Sequence, residues 1–194
     1  MRSKQWIKRT RKGIATCWEE NLCSRRFLIV SGHGPYQYHE LIIQRSNLLH
    51  LTGVETALSA NEFFSRALKG TLNDCDFSIS EERIINKLIP LGQCPNFLLR
   101  ASRIGRGRNN RIFVSFDIAL GPFPCVLLRK INKTSHVPVS LMSIHIAKFA
   151  HPIHQVRAIF WKSIEDKEPR YSREHLTCRF SGFDENIIDK DLFF

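Results

Sequence analysis

From residue 96 to residue 163 the chain is cut into short runs that leave no room for a long helix. Asn96 to Ile104, Arg111 to Leu120 and Cys125 to Ile131 are apolar or alternating stretches separated by Gly, Asn and Pro. Val139 to Ile146 and Val156 to Ser163 continue the series. Runs of this length bounded by turn residues read as strands, and their succession predicts an antiparallel sheet of four to five strands. The half before it reads differently. Residues 3–20 suit a basic helix with Trp6, Ile7, Ile14 and Trp18 as its apolar positions, interrupted by Gly13. Arg26-Phe-Leu-Ile-Val30 is a strand, Ser31-Gly-His-Gly-Pro35 a turn, and Tyr36 to Arg45 the returning strand of a hairpin. Ser59-Ala-Asn-Glu62 has the spacing of a capping box, with Gly70 as the stop after Lys69. Ser78-Ile-Ser-Glu81 repeats that signal, and Ile84, Ile85, Leu88 and Ile89 recur at helical spacing before Pro90. The expected fold is α+β: a β-hairpin and helices, then the sheet. Residues 1–25 are expected as a basic extension, 26–180 as one domain, and 181–194 as an acidic tail.

Several classes of protein drop out. Six scattered cysteines without a CxxC pair read as reduced thiols rather than a disulfide framework. No stretch has the roughly 18–20 apolar residues of a membrane span. The first residues lack the apolar run of a secretory signal, so a cytoplasmic protein without membrane contact is expected. His151-Pro-Ile-His154 is the one tight histidine pair, with no cysteine beside it, and no metal site or cofactor is expected.

The net charge of +11 is unevenly spread. Residues 1–26 hold eight Lys/Arg against Glu19 and Glu20, and residues 99–133 hold eight against Asp117 alone. Charge concentrated in this way suits a polyanionic partner, nucleic acid first. Arg103, Arg106, Arg108 and Arg111 surround a Gly/Asn-rich turn from which guanidinium forks can meet phosphate oxygens. The turn lacks the third glycine and the lysine of nucleotide-binding loops. Carboxylate pairs that would hold two metal ions are absent, whereas His, Lys, Arg, Ser, Thr and Tyr are plentiful. Those types suffice for metal-independent RNA cleavage. There the ribose 2′-hydroxyl attacks, a side chain takes its proton, and cations stabilise the phosphorane-like charge.

One stretch, Gln44-Arg-Ser-Asn-Leu-Leu-His-Leu-Thr-Gly-Val54, breaks an apolar run with an imidazole. Phe27-Leu-Ile-Val30, the strand to Arg45 and then Asn47-Leu-Leu-His-Leu-Thr-Gly53 resemble a nuclease-like family of phage polyvalent proteins that carries an N-F-x-H-L-T-G signature. That family is grouped with the barnase, EndoU, colicin-type and RelE ribonucleases. The resemblance continues through Phe63-Phe64, Lys87, Pro138-Val-Ser140-Leu-Met142, Ile159-Phe-Trp-Lys162 and Tyr171, covering roughly residues 26–180. This chain has Leu48-Leu49 where the family has an aromatic before the histidine. The resemblance implies a barnase/RelE-like fold and RNA as substrate.

Carried over, it implies His50 as general acid or base, or else as a structural histidine where the helical layer begins. Thr52 contacts phosphate or caps the turn at Gly53. Ser140 donates to a phosphate oxygen or faces solvent. Lys162 is a transition-state cation or an edge lysine, with Lys87 and Arg129 as alternative cations, and Tyr171 stacks on a base or holds a phosphate. Arg45, Arg103, Arg106, Arg108, Arg111 and Arg129 are the expected nucleic-acid contacts. The expected function is a metal-independent ribonuclease of toxin or phage-effector type, with an antitoxin or immunity protein as a possible partner. The alternatives are a non-catalytic RNA- or DNA-binding module and a host-interaction protein using the same basic surface.

Overall fold

The computed structural model describes residues 2–33, 35–92, 101–108, 114–133 and 135–193, with the backbone alone for residues 2–10. Its frame is a sheet of eight strands: β1 (Arg25–Ser31), β2 (Gln37–Ile43), β3 (Arg103–Gly107), β4 (Ile118–Leu120), β5 (Cys125–Lys130), β6 (Ser135–Met142), β7 (Ala150–Ser163) and β8 (Leu176–Arg179). Their order is β1-β2-β6-β5-β4-β3-β7-β8, and a further pairing of β1 with β7 closes the first seven into a barrel. The expected meander is present as β3-β4-β5-β6, each antiparallel to the next. The expectation of four to five strands is corrected by the length of β7. Its first half pairs with β3, from Ala150↔Gly107 to Gln155↔Arg103, and its second half with β1, from Val156↔Ser31 to Ser163↔Arg25. One strand thereby joins the N-terminal hairpin to the meander. At the other seam β2 and β6 run parallel through Glu40↔Ser135 and Leu41↔His136, so the sheet is not wholly antiparallel.

Side-chain alternation decides what each strand buries. Phe27 and Ile29 of β1 point into the main core with Leu41, Ile43, Ile104, Leu120, Val126, Leu128 and Leu141. Leu28 and Val30 point outward into a second cluster with Tyr36, Phe160, Phe183 and Phe193. The continuous apolar run of β1 is therefore a strand buried on both faces. Phe183 and Phe193 fold the acidic C-terminal segment onto the barrel wall.

Helices close one end. α1 (Arg2–Asn21) leads into β1, and α2 (Asn47–Thr52) leaves β2, on the rim where Arg25 pairs with Ile43. α3 (Ala60–Lys69) starts at the expected Ser59, whose Oγ accepts from the Glu62 N–H, and ends at left-handed Gly70. The Glu62 carboxylate pairs with Arg66 instead of completing the box. Ile14, Trp18 and Leu22 of α1, Leu48 and Leu51 of α2, and Phe63 and Phe64 of α3 share the core with the inward face of the barrel. Burying each phenylalanine contributes about 2–3 kcal/mol. α1 thus belongs to the core, although the sequence suggests an extension ending at residue 25.

The second capping signal is displaced. Ser80, not Ser78, caps α4 (Glu81–Arg83) by accepting the Arg83 N–H, while Ser78 forms an isolated bridge with Glu55. α4 continues into a π segment (Ile84–Leu88) and a last turn, α5 (Ile89–Leu91). Pro90 sits within that last turn and does not end the helix. Of the expected strands, the stretches over residues 96–100 and 111–113 lie outside the described residues.

Candidate active site

α2 is short because its ends are fixed by side chains. The Gln44 N–H donates to Asn47 Oδ1 at 2.8 Å, Thr52 Oγ1 donates to the Leu49 carbonyl at 2.7 Å, and the Val54 N–H returns a bond to Thr52 Oγ1 at 3.2 Å. Gly53 then leaves the helix at φ +68°, a left-handed conformation that favours glycine. With Leu48 and Leu51 turned into the core, the helical period places His50 on the exposed face. Thr52 is 1% exposed, and its hydroxyl is occupied as a cap.

His50 overlooks a groove of about 500 Å³ bounded by Leu49, Gly53, Glu55, Arg83 and Lys87. Lys87 comes from the π segment, and its ammonium donates to Ser140 Oγ on β6 at 3.0 Å. A Cβ on Gly53 would lie 2.7 Å from Lys87 Cδ, so a side chain here would push the lysine stem from its path. Arg83 donates to the Gly53 carbonyl at 3.2 Å and to Glu55 at 2.5 Å. Burial, and then the Arg83 charge, lower the pKa of the Lys87 ammonium below the usual lysine range. Ser143 Oγ ties the same helix to the end of β6 by donating to the Asn86 carbonyl at 2.7 Å. The structure thus sets His50 and Lys87 on one groove with Glu55 and Arg83, and Lys87 reaches from it to buried Ser140. Neither Glu55 nor Arg83 carried a signal in the sequence, because each reaches the groove only through the loop after Gly53 or through α4.

Other expected site residues lie elsewhere. Lys162 is 2% exposed and donates to the carbonyls of Glu168 and Arg170, the latter at 3.2 Å, with its ammonium 4.6 Å from the Tyr171 ring centre. Tyr171 donates to Glu40 at 3.3 Å, and Glu40 also meets Arg26 at 3.5 Å and accepts from Ser135 Oγ. Lys162 and Tyr171 therefore hold the segment after β7, away from the His50 groove. Arg45 is engaged by Glu19, with Nε donating at 3.0 Å. Arg129 donates to the Ser115 carbonyl from Nη2 at 3.3 Å. Arg103, Arg106 and Arg108 are exposed along and just after β3, and Arg111 lies outside the described residues.

The end of the barrel opposite the α-helices opens into a larger cavity of about 740 Å³. His39 of β2, His136 of β6 and His154 of β7 line it, with Arg106, Lys130 and Lys133 around them. The His39 and His136 rings meet edge to face with centres 5.9 Å apart. Burial, then the nearby charges of His136, His154 and Arg106, push His39 down to about 4. His39 and His136 are missed by sequence reasoning because only barrel closure and register turn them to one lumen. Among the described residues no three His, Cys, Asp or Glu side chains are grouped to hold a metal ion, and no helix is long and apolar enough to cross a membrane.

A family model described as phage-Barnase-EndoU-ColicinE5/D-RelE like nuclease 4 matches residues 12–173. The match takes in α1 from Lys12 onward and every group lining the His50 groove. Neither a curated protein nor a solved structure matches the chain.

Proposed function

The chain belongs to this phage-Barnase-EndoU-ColicinE5/D-RelE like nuclease family, and on that premise we propose that it is a ribonuclease that cleaves RNA without metal at the His50 groove. The observation that carries the reading is the groove that His50 shares with Lys87, whose ammonium is held from behind by buried Ser140 at 3.0 Å. Cleavage by the adjacent 2′-hydroxyl needs one group to take its proton and one to protonate the departing 5′-oxygen. His50 and Glu55 are the groove groups suited to proton transfer. Lys87 and Arg83 supply positive charge where the phosphorane oxygens would gather negative charge. Ser140, buried behind the groove, accepts from Lys87 and positions its ammonium. The products are a 2′,3′-cyclic phosphate and a free 5′-hydroxyl, with no net change in protons.

The test is cleavage of a mixed RNA in EDTA, with the product ends identified. His50→Ala should reduce the rate at least about 100-fold, in line with loss of a positioned acid or base, and Glu55→Gln should reduce it as well. Full cleavage by His50→Ala would refute the site. Salt-sensitive RNA binding without turnover would instead identify a non-catalytic binding module. The toxin or effector role belongs to the same reading, supported by the phage nucleases in the family description. It predicts growth arrest on expression of the intact chain, no arrest with His50→Ala, and relief by an antitoxin or immunity protein.

A further inference from the structure

The cavity at the open end of the barrel has no part in the proposed cleavage. It lies at the opposite end from the groove, and the two share no lining residue. On β6, Ser140 pairs with the outward-facing Leu127 of β5, whereas His136 pairs with Lys130 and faces the lumen. The two sites therefore also lie on opposite faces of that strand.

The floor and rim of the cavity differ chemically. His136 is buried, His39 and His154 are half-buried, and Arg106, Lys130 and Lys133 stand exposed around the mouth. None of these three cations forms an ion pair with a described residue. Asp117 is the carboxylate at the rim, and its Oδ2 is occupied by the Lys130 backbone N–H at 2.7 Å. Like charges gathered at a concave mouth repel one another and focus a field that draws in anions. Between the polar groups the walls are apolar, made by Ile104, Ile118 and Phe116. The lumen depends on β3 lying close against β7. A Cβ on Gly105 would come within 2.8 Å of Ala150 Cβ and 2.9 Å of the Pro152 carbonyl oxygen.

We propose that the open end of the barrel is a binding site for a nucleotide, with the phosphate at Arg106, Lys130 and Lys133 and the base against the apolar wall beside His39 and His136. The volume suits a ligand of that size, since small-molecule sites run to roughly 300–1,000 Å³. Imidazole ring nitrogens suit the donor and acceptor edges of a base, and a guanidinium fork suits phosphate oxygens. A bare phosphate would leave the apolar wall unused, and a bare nucleoside would leave the cations unmatched. The nucleotide is either free or one unit of a nucleic-acid strand. Its recognition chemistry is the same in both cases.

The test is calorimetric titration of the intact chain with 5′-AMP, 5′-UMP, adenosine, inorganic phosphate and a single-stranded DNA tetramer, which lacks the 2′-hydroxyl needed for cleavage. We expect at least one nucleotide to bind about 10-fold or more tighter than adenosine and than phosphate. The exposed pair Arg106→Gln/Lys130→Gln should weaken it at least about 10-fold, and His50→Ala should leave it unchanged. Tighter binding of the tetramer than of the mononucleotide assigns the site to a strand, and weaker binding assigns it to a free nucleotide. Equal binding of nucleotide and nucleoside, no binding of either nucleotide or tetramer, or insensitivity to the double substitution would each overturn the site. His50→Ala reports on cleavage alone, so failure of the nuclease reading is distinguishable from failure of this one.

Discussion

At the scale of single residues, Gly53 and Lys87 form a matched pair. Gly53 has a left-handed backbone and lies under the Lys87 stem, so a side chain there would strain the backbone and push the stem aside. Gly53→Ala should lower stability by about 1–3 kcal/mol, the range for a residue held in an unfavourable backbone region, read as a fall in the denaturation midpoint. It should also displace Lys87 from Ser140 and reduce RNA cleavage in the fraction that remains folded. Lys87 makes a second prediction. Burial lowers its pKa, so between that lowered value and the ordinary one the unfolded chain binds more protons than the folded one. Stability should therefore rise with pH across that window, and Lys87→Met should flatten the rise in alkaline denaturation curves. Cleavage needs the charged ammonium, so it should fall as pH climbs through the lowered value. His50 and Lys87 were legible as residue types placed near turn and helix signals. That Lys87 reaches Ser140, and Lys162 does not, was not legible, because the choice depends on how the π segment packs against β6.

At the scale of elements, the segment after β7 shows why Lys162 interrupts an otherwise apolar strand. Its ammonium donates to the backbone carbonyls of Glu168 and Arg170 and rests on the Tyr171 ring, which Glu40 fixes in turn. Lys162→Met would leave the Glu168 and Arg170 carbonyls without a donor. A loss of about 1.5–3 kcal/mol is expected for hydrogen bonds made by a charged donor. Chemical denaturation should show that loss, while RNA cleavage per folded molecule stays within about twofold. A large loss of cleavage at unchanged stability would return Lys162 to the catalytic groups. In the sequence, a lysine on a strand can face a cleft or solvent. The third outcome, a lysine turned back to staple its own following loop, appears only when the path of residues 164–171 is known.

At the scale of the whole molecule, barrel closure gives the protein two ends of different character. The helices bury one, and the other gathers histidines and cations. His39 is held near 4 in the folded state against about 6.5 when unfolded. Between those values the unfolded chain binds the extra proton, so stability should decline as pH falls from 6.5 toward 4. His39→Gln should remove part of that decline in acid denaturation followed by circular dichroism. Much of the architecture was determined by the sequence alone. Capping serines, glycine stops, alternating runs and the meander from β3 to β6 are local, because each depends on hydrogen bonds or side-chain periodicity within a few residues. The sequence also determined the family, the basic character and the position of His50. Only the tertiary structure decided that β7 joins hairpin and meander into a barrel, that α1 enters the core, that Arg83 and Glu55 join His50, and that His39, His136 and His154 meet in one lumen. Each of those outcomes rests on strand register and on contacts between residues far apart in the chain. A strand carries the same alternating pattern whichever neighbour it pairs with.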